Sequence, residues 1–120
     1  MMSVPSPTHR PLSGEVASLL SERAGSRFSQ GDSIRLQHGR DESIHEPALP
    51  DGVLLAESTQ EVADVAALCH RHRVPMIAYG TGSSVEGQVL AIHGGLTISL
   101  AGMNRILAVH ADDLDATVEA

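Results

Sequence analysis

The run Tyr79-Gly80-Thr81-Gly82-Ser83-Ser84-Val85-Glu86-Gly87 is the part of this sequence best suited to holding a ligand. Glycines let a backbone approach a bound group closely and take positive φ angles. Successive N–H groups in such a turn form a concave anion-binding nest, and the hydroxyls of Thr81, Ser83 and Ser84 add donors. That combination suits a phosphate or pyrophosphate and requires neither Lys nor Arg. A plain tight turn between two strands competes with this reading, because glycine–serine loops are common.

Two familiar phosphate loops fail the test. A Walker-type loop needs Gly-Lys-Ser/Thr, and no lysine stands anywhere near to reach terminal phosphates. A Rossmann loop needs Gly-x-Gly-x-x-Gly opening a helix, with an acid ~20 residues on to hold the ribose. Here Val85 replaces the third glycine, and Gly87, Gly94 and Gly95 would break a following helix. No Asp or Glu occurs between Gly87 and Ala111.

The flanking elements must position the loop. Val53-Leu54-Leu55-Ala56 is a short apolar run after a glycine and reads as a buried strand. Ser58 and Glu61 have capping-box spacing, and Val62, Val65, Ala66, Leu68 and Cys69 recur behind them at helical intervals. Arg71 and Arg73 suit the carboxyl end of that helix, which Pro75 limits. Met76-Ile77-Ala78-Tyr79 then reads as a second buried strand, so strand, helix and strand predict a parallel pair with a right-handed crossover. Beyond the loop, residues 96–100, 106–110 and 116–120 read as strands, with Asp112-Asp113 turning between the last two.

Upstream, Pro5, Pro7 and Pro11 mark residues 1–14 as a flexible leader, and a short helix is expected over residues 15–24, stopped by Gly25. Residues 26–52 read as a long irregular connection with a short strand near Ile34; a connection of that length normally has a job or covers something. The sequence ends at Ala120 inside a strand pattern, which leads us to expect a truncated domain of low stability alone.

Composition narrows the function classes. Apolar residues make up 42 %, the level of a globular domain, within a length of 120 residues that supports one modest core. Phe28 and Tyr79 are the only aromatic residues and the net charge is −7, so the stacking platforms and cation clusters of a nucleic-acid binder are absent. Cys69 is the only cysteine, which excludes an intrachain disulfide and points to a reducing compartment. No apolar run reaches the ~20 residues of a membrane span, and residues 1–10 have no apolar signal core.

Other chemistry-bearing residues have plainer readings. His70 and His72 lie two apart on a helix and do not share a face; His38, His45, His93 and His110 are scattered, so no metal is expected. Cys69 falls on the apolar side of its helix and reads as a small core residue. Asp41-Glu42 and Asp112-Asp113 lack any accompanying nucleophile and read as solvated turns, with Arg40 and Asp41 suited to structural ion pairing. Met103 and Asn104 mark a turn whose apolar members pack below the domain.

Several collinear segments resemble one family. They are His38-Gly39-Arg40-Asp41-Glu42-Ser43, Pro47-Ala48-Leu49-Pro50-Asp51, Ser58-Thr59-Gln60-Glu61-Val62, the glycine loop itself and Met103-Asn104-Arg105-Ile106-Leu107. In this order they resemble the FAD-binding domain of the vanillyl-alcohol oxidase (PCMH-type) flavoproteins. The nearest resemblance is to the group of FAD-linked D-lactate dehydrogenases (cytochrome) and glycolate oxidases. The resemblance covers roughly residues 37–120, with residues 1–36 as leader and short helix. It implies an α+β fold, the N-terminal portion of a PCMH-type FAD-binding domain. Tyr79, Gly80, Thr81, Gly82, Ser83, Ser84 and Gly87 would then hold the FAD diphosphate. Many members attach FAD through a His in or near this loop; here the loop has none, so FAD is expected to bind non-covalently.

The same resemblance implies an oxidoreductase that takes a small D-2-hydroxy acid, lactate or glycolate, to the 2-oxo acid. Electrons would leave to a cytochrome, quinone or electron-transfer protein. Substrate would sit on a domain beyond these residues, so no catalytic residue carries over onto this sequence. A cytoplasmic location is expected, at the periphery of the inner membrane for the full enzyme. The alternative, of a different class, is a catalytically inactive piece or interaction module that needs a complementary chain and recruits it by strand addition.

Overall fold

In the computed structural model, residue 9 and residues 11–120 are described; the leader and signal readings for residues 1–8 and 10 fall outside them. Helix α1, Gly14–Ala24, begins where the Ser13 hydroxyl accepts the Val16 amide, and it buries Val16, Leu20 and Ala24 at four-residue spacing. Gly25 takes φ +57 and closes it into a 3-10 turn, Gly25–Arg27. Strand β1, Phe28–Ser29, and helix α2, Asp32–Gln37, follow. Ile34 therefore lies in a helix, and the short strand falls at Phe28 instead. Arg35 anchors that helix by donating from Nε to the Pro50 carbonyl at 2.7 Å.

Strand β2, Gly52–Leu55, leads into α3, Thr59–Arg71, and then β3, Met76–Tyr79. The Ser58 hydroxyl caps α3 by accepting the Glu61 amide at 3.1 Å. The return half of the capping box is missing. The Glu61 carboxylate accepts from the Glu57 amide at 3.1 Å and turns to Arg27, whose guanidinium donates to both of its oxygens and to the Leu55 carbonyl.

The four-stranded sheet has the order β1-β2-β4-β3. β1 runs antiparallel to β2, and β4, Leu96–Ser99, runs parallel to both β2 and β3. The expected parallel pair is thus split: β2 and β3 point the same way, but β4 lies between them. Gly95 admits it. At φ +91 a side chain there would overlap the Pro75 carbonyl. Its carbonyl accepts the Asp51 amide on the β2 side, while the next residue, Leu96, donates to Pro75 on the β3 side. Every residue of β4 is buried, whereas β3 alternates between exposed and half-buried. Met76-Ile77-Ala78-Tyr79 is consequently an edge strand and not a buried one.

Leu20, Leu54, Leu96, Ile98, Val65, Cys69, Phe28 and Met103 belong to one hydrophobic cluster drawn from both long helices and the sheet. Burying each large aliphatic side chain contributes about 1.5–3 kcal/mol. Outside this cluster stands a hairpin of β5, Ile106–His110, and β6, Asp115–Val118, with a register shift between Ile106 and Ala108. Arg105 and Glu119 clamp its open end at 2.7 Å and His110 pairs with Asp115 at 2.7 Å near the turn. Its apolar residues face outward; Ile106 is 69 % exposed.

The connection from α2 to β2 is fastened along its length. The Gly39 carbonyl accepts the Ala48 amide, the Ala48 carbonyl accepts the Ala91 amide, and the Glu42 amide donates to the Ser84 carbonyl at 2.9 Å. Asp41 and Glu42 of this segment bond to Ser84 and Gly87 of the glycine loop, whereas much of the irregular connection expected over residues 26–52 is taken up by the 3-10 turn, β1 and α2.

Candidate functional site

The glycine loop leaves the sheet at the carboxyl end of β3. The Leu100 amide donates to the Tyr79 carbonyl at 2.9 Å and is the last rung between the chains there. Gly82 then turns at φ +74, and a Cβ at that position would overlap the Tyr79 hydroxyl. Glycine is required there. Gly80 differs, because a Cβ built on it meets nothing within 4 Å. The space beside Gly80 is open to a ligand.

Among the described residues, the amides of Gly80, Thr81, Gly82 and Ser83 have no protein acceptor. Thr81 and Ser83 share a hydroxyl–hydroxyl bond at 3.0 Å, which places both side chains beside these amides. Unpaired amides beside open space are suited to an anion site built of backbone dipoles.

Two cavities meet at this turn. One, of about 360 Å³, runs along Tyr79 to Ser84 and is backed by Val89. The other, of about 620 Å³, is bounded by His38, Tyr79, Gly80, Thr81, Ser99 and Met103 among others. Tyr79, Gly80 and Thr81 line both, so the start of the loop is their common wall. Neither cavity is lined by an arginine or a lysine. The volumes lie in the range of small-ligand and cofactor sites.

The second half of the loop is occupied differently. Asp41 accepts from the Ser84 hydroxyl and from the Gly87 amide, each at 3.0 Å on Oδ2, and from the Ser43 amide at 2.9 Å on Oδ1. Hydrogen bonds from Ser43, reinforced by Ser84 and Gly87, hold its carboxyl below the usual carboxylate range. Gly87 itself turns at φ +81 with the His45 ring packed where a Cβ would be.

Of the loop residues singled out in the sequence, Tyr79, Gly80, Thr81, Gly82, Ser83 and Ser84 share the cavity wall, and Gly87 faces Asp41 behind it. Asp41 is not ion-paired with Arg40, which has no salt-bridge partner among the described residues; its partners are the loop itself. Sequence reasoning also missed His38. His38 is 6 % exposed, its ring donates from Nδ1 to the Ile34 carbonyl at 2.9 Å, and the residue lines the larger of the two cavities. The signal was present in the dense string from His38 to Ser43, whose partners local spacing does not reveal.

Cys69 is fully buried, and burial pushes its thiol up to about 11, as befits a core residue and not a nucleophile. No group of three potential metal ligands occurs among the described residues. None of their helices is long and apolar enough to cross a membrane.

The chain is similar to several known proteins. The model of the FAD binding domain family matches residues 50–120. A probable mitochondrial D-lactate dehydrogenase of Danio rerio is 42 % identical over 104 residues, covering 87 % of this chain and 21 % of that protein. The mitochondrial D-lactate dehydrogenase [cytochrome] of Arabidopsis thaliana is 37 % identical, over 71 % of this chain and 15 % of its own length. Glycolate oxidase subunit GlcD of Bacillus subtilis is 30 % identical, over 77 % and 20 %. The chain therefore spans between 15 % and 21 % of these relatives. Among solved structures, an alkyldihydroxyacetonephosphate synthase superposes with a TM-score of 0.79 at 20 % identity, over 98 % of this chain and 26 % of that one. A p-cresol methylhydroxylase superposes with a TM-score of 0.70 at 18 % identity, over 80 % and 20 %. These likenesses bear out the PCMH-type α+β fold, of which the chain covers a part.

Proposed function

We propose, from the premise that this chain belongs to the FAD binding domain family, that residues 79–83 hold the FAD diphosphate in an oxidoreductase for small D-2-hydroxy acids. The domain would be carried by residues 37–120. The observation that supports it is the row of unpaired amides from Gly80 to Ser83 at the shared wall of the two cavities. The open side of Gly80 and the donor set of Thr81 and Ser83 fit a diphosphate, and no cation is required.

When bound, FAD supplies a hydride acceptor for oxidation of a hydroxy acid to the 2-oxo acid. This chain's own residues bind and orient. Gly80–Ser83 would donate to phosphate oxygens, Tyr79 fixes the turn, and His38 with Met103 lines the cavity beside it. The hydroxy-acid substrate rests on the relatives' names, two D-lactate dehydrogenases and a glycolate oxidase component. A cytochrome, quinone or electron-transfer protein as acceptor belongs to the same proposal, as does the cytoplasmic location. Binding is non-covalent in this reading, because residues 80–87 contain no His or Cys.

Titration of the purified chain with FAD, ADP and riboflavin tests the site. FAD should bind, ADP should compete, and riboflavin, lacking the diphosphate, should not. Equal binding of FAD and riboflavin would remove the diphosphate assignment. Acid precipitation should release all flavin to the supernatant; flavin retained in the pellet would mean a covalent bond, for which His38 and His45 lie nearest the loop.

One observation favours a second reading, an interaction module requiring a complementary chain: β5 and β6 present Ile106, Val109 and Val118 to solvent. Flavin absorbance that develops only on mixing with the remaining part of a relative would select it.

A further inference from the structure

We propose that Asp41 is a positioning residue of the cofactor loop, acting as an internal anion that fixes residues 84–87 so that the amides of residues 80–83 stay free for the diphosphate. The inference rests on the FAD reading of the site and goes beyond it by assigning a residue that touches no cofactor. Asp41 is bonded to Ser84 and Gly87, residues 43 and 46 positions away in sequence, by the two 3.0 Å contacts to a single carboxylate oxygen. Its other oxygen holds the Ser43 amide, which locks the carboxylate's own orientation. Alongside, the Glu42 amide donates to the Ser84 carbonyl, so two adjacent residues clasp the loop from the same side.

A local role in the turn at residues 41–43 would need only the Ser43 bond. The two long-range bonds serve the loop. They satisfy a donor at Gly87, whose positive φ leaves its amide facing the long connection and away from the cavities. Without that acceptor, the loop beyond Ser83 would keep few fastenings, among them Glu42 to Ser84 and Leu90 to Gly87. A loop ordered before the ligand arrives binds it more tightly than one ordered by it.

The carboxylate is specifically required. An Asn at this position offers one acceptor oxygen, so whichever way its amide turns, its NH₂ confronts the N–H of either Gly87 or Ser43. Asp41→Asn keeps the shape but cannot hold the loop and the Ser43 amide together, so the clasp loses either its grip or its fixed orientation. In the full 120-residue chain it should raise the dissociation constants of both FAD and ADP by about tenfold and accelerate amide hydrogen exchange in residues 80–87 without ligand. Exchange in β2 and β4 should be unchanged. Asp64→Asn, which touches Arg23 and Gln60 on the outer surface, should change none of these.

Should Asp41→Asn fail to fold, Ser84→Ala removes one donor of the same clasp and should move both readouts in the same direction by less. Faster exchange with unaltered ADP affinity would overturn the positioning role, as would unaltered exchange. If the wild-type chain binds neither FAD nor ADP, the FAD reading fails and the proposal with it. That outcome is distinct from a loss confined to the variant.

Discussion

The His38 ring sits against the Tyr79 ring with centroids 4.5 Å apart and planes tilted by 53°. His38 ends α2 and Tyr79 ends β3, so the contact joins the long connection to the first residue of the glycine loop. Because the Ile34 carbonyl can only accept, the His38 Nδ1 bonded to it must carry a proton. The Tyr79 hydroxyl in turn reaches the Gln37 carbonyl at 3.4 Å. His38→Ala removes a buried ring and its bond together and should cost about 2–3 kcal/mol, seen as a lower midpoint in urea. FAD affinity should fall with it, since Tyr79 loses the surface that holds it at the cavity wall.

Two glycines of the loop should differ in how the same substitution affects stability. Gly82→Ala forces a Cβ into the Tyr79 ring at φ +74, displacing Tyr79 and straining the turn by about 1–3 kcal/mol. Its stability and FAD binding should both drop. Gly80→Ala adds a methyl to open space, so its melting should match wild type. FAD affinity alone should fall, because the methyl occupies the approach to the free amides. A Gly80→Ala chain that binds FAD at full strength would show that the diphosphate lies elsewhere.

Cys69 should be inert in the folded chain. The side chain is inaccessible and burial raises its thiol to about 11, so little thiolate exists at pH 8 and none of it is reachable. A thiol-specific chromogenic reagent should label the native chain only at the rate of unfolding and label it at once in denaturant. Fast labelling without denaturant would mean that α3 opens away from the sheet.

What local sequence could reveal here was local. Ser58 and the spacing from Val62 to Cys69 announced α3, and the run Val53 to Ala56 announced β2, because caps and apolar periods act over a few residues. The insertion of β4 between β2 and β3 was invisible. It depends on Gly95 bonding to Asp51 while Leu96 bonds to Pro75, and nothing in Met76-Ile77-Ala78-Tyr79 says that one flank is left open. Ile34 misled for a related reason. α2 buries no residue completely and is anchored through its own Arg35 to the Pro50 carbonyl. At the site, the glycine loop was legible from its composition, whereas Asp41 was read as a residue for ion pairing and instead accepts hydrogen bonds from the loop. Its real partners are residues that only the folded chain brings near.

The pair of Arg27 and Glu61 should make stability depend on acid. Arg27 joins the 3-10 turn to the start of α3 through two bonds to Glu61, the longer at 2.7 Å, and its Nε lies 3.2 Å from Glu57. The Glu61 side chain is only 12 % exposed. The hydrogen bond from Arg27, opposed by burial and aided by the Glu57 amide, holds the Glu61 carboxyl below its ordinary value of 4.5. A carboxyl depressed on folding binds protons more readily in the unfolded chain. Its stabilisation is therefore complete above the unfolded value and is lost as pH falls through the folded one. Urea midpoints measured from pH 7 to pH 3 should decline below about pH 4.5. Glu61→Gln should be less stable at pH 7 by about 2 kcal/mol, since Arg27 keeps its charge without a matching carboxylate. It should also have a shallower acid decline than wild type, the two curves converging as the wild-type carboxyl protonates. Parallel curves over the whole range would assign the acid sensitivity to other carboxylates, Asp41 and Glu119 first, both of which are also held below their ordinary values.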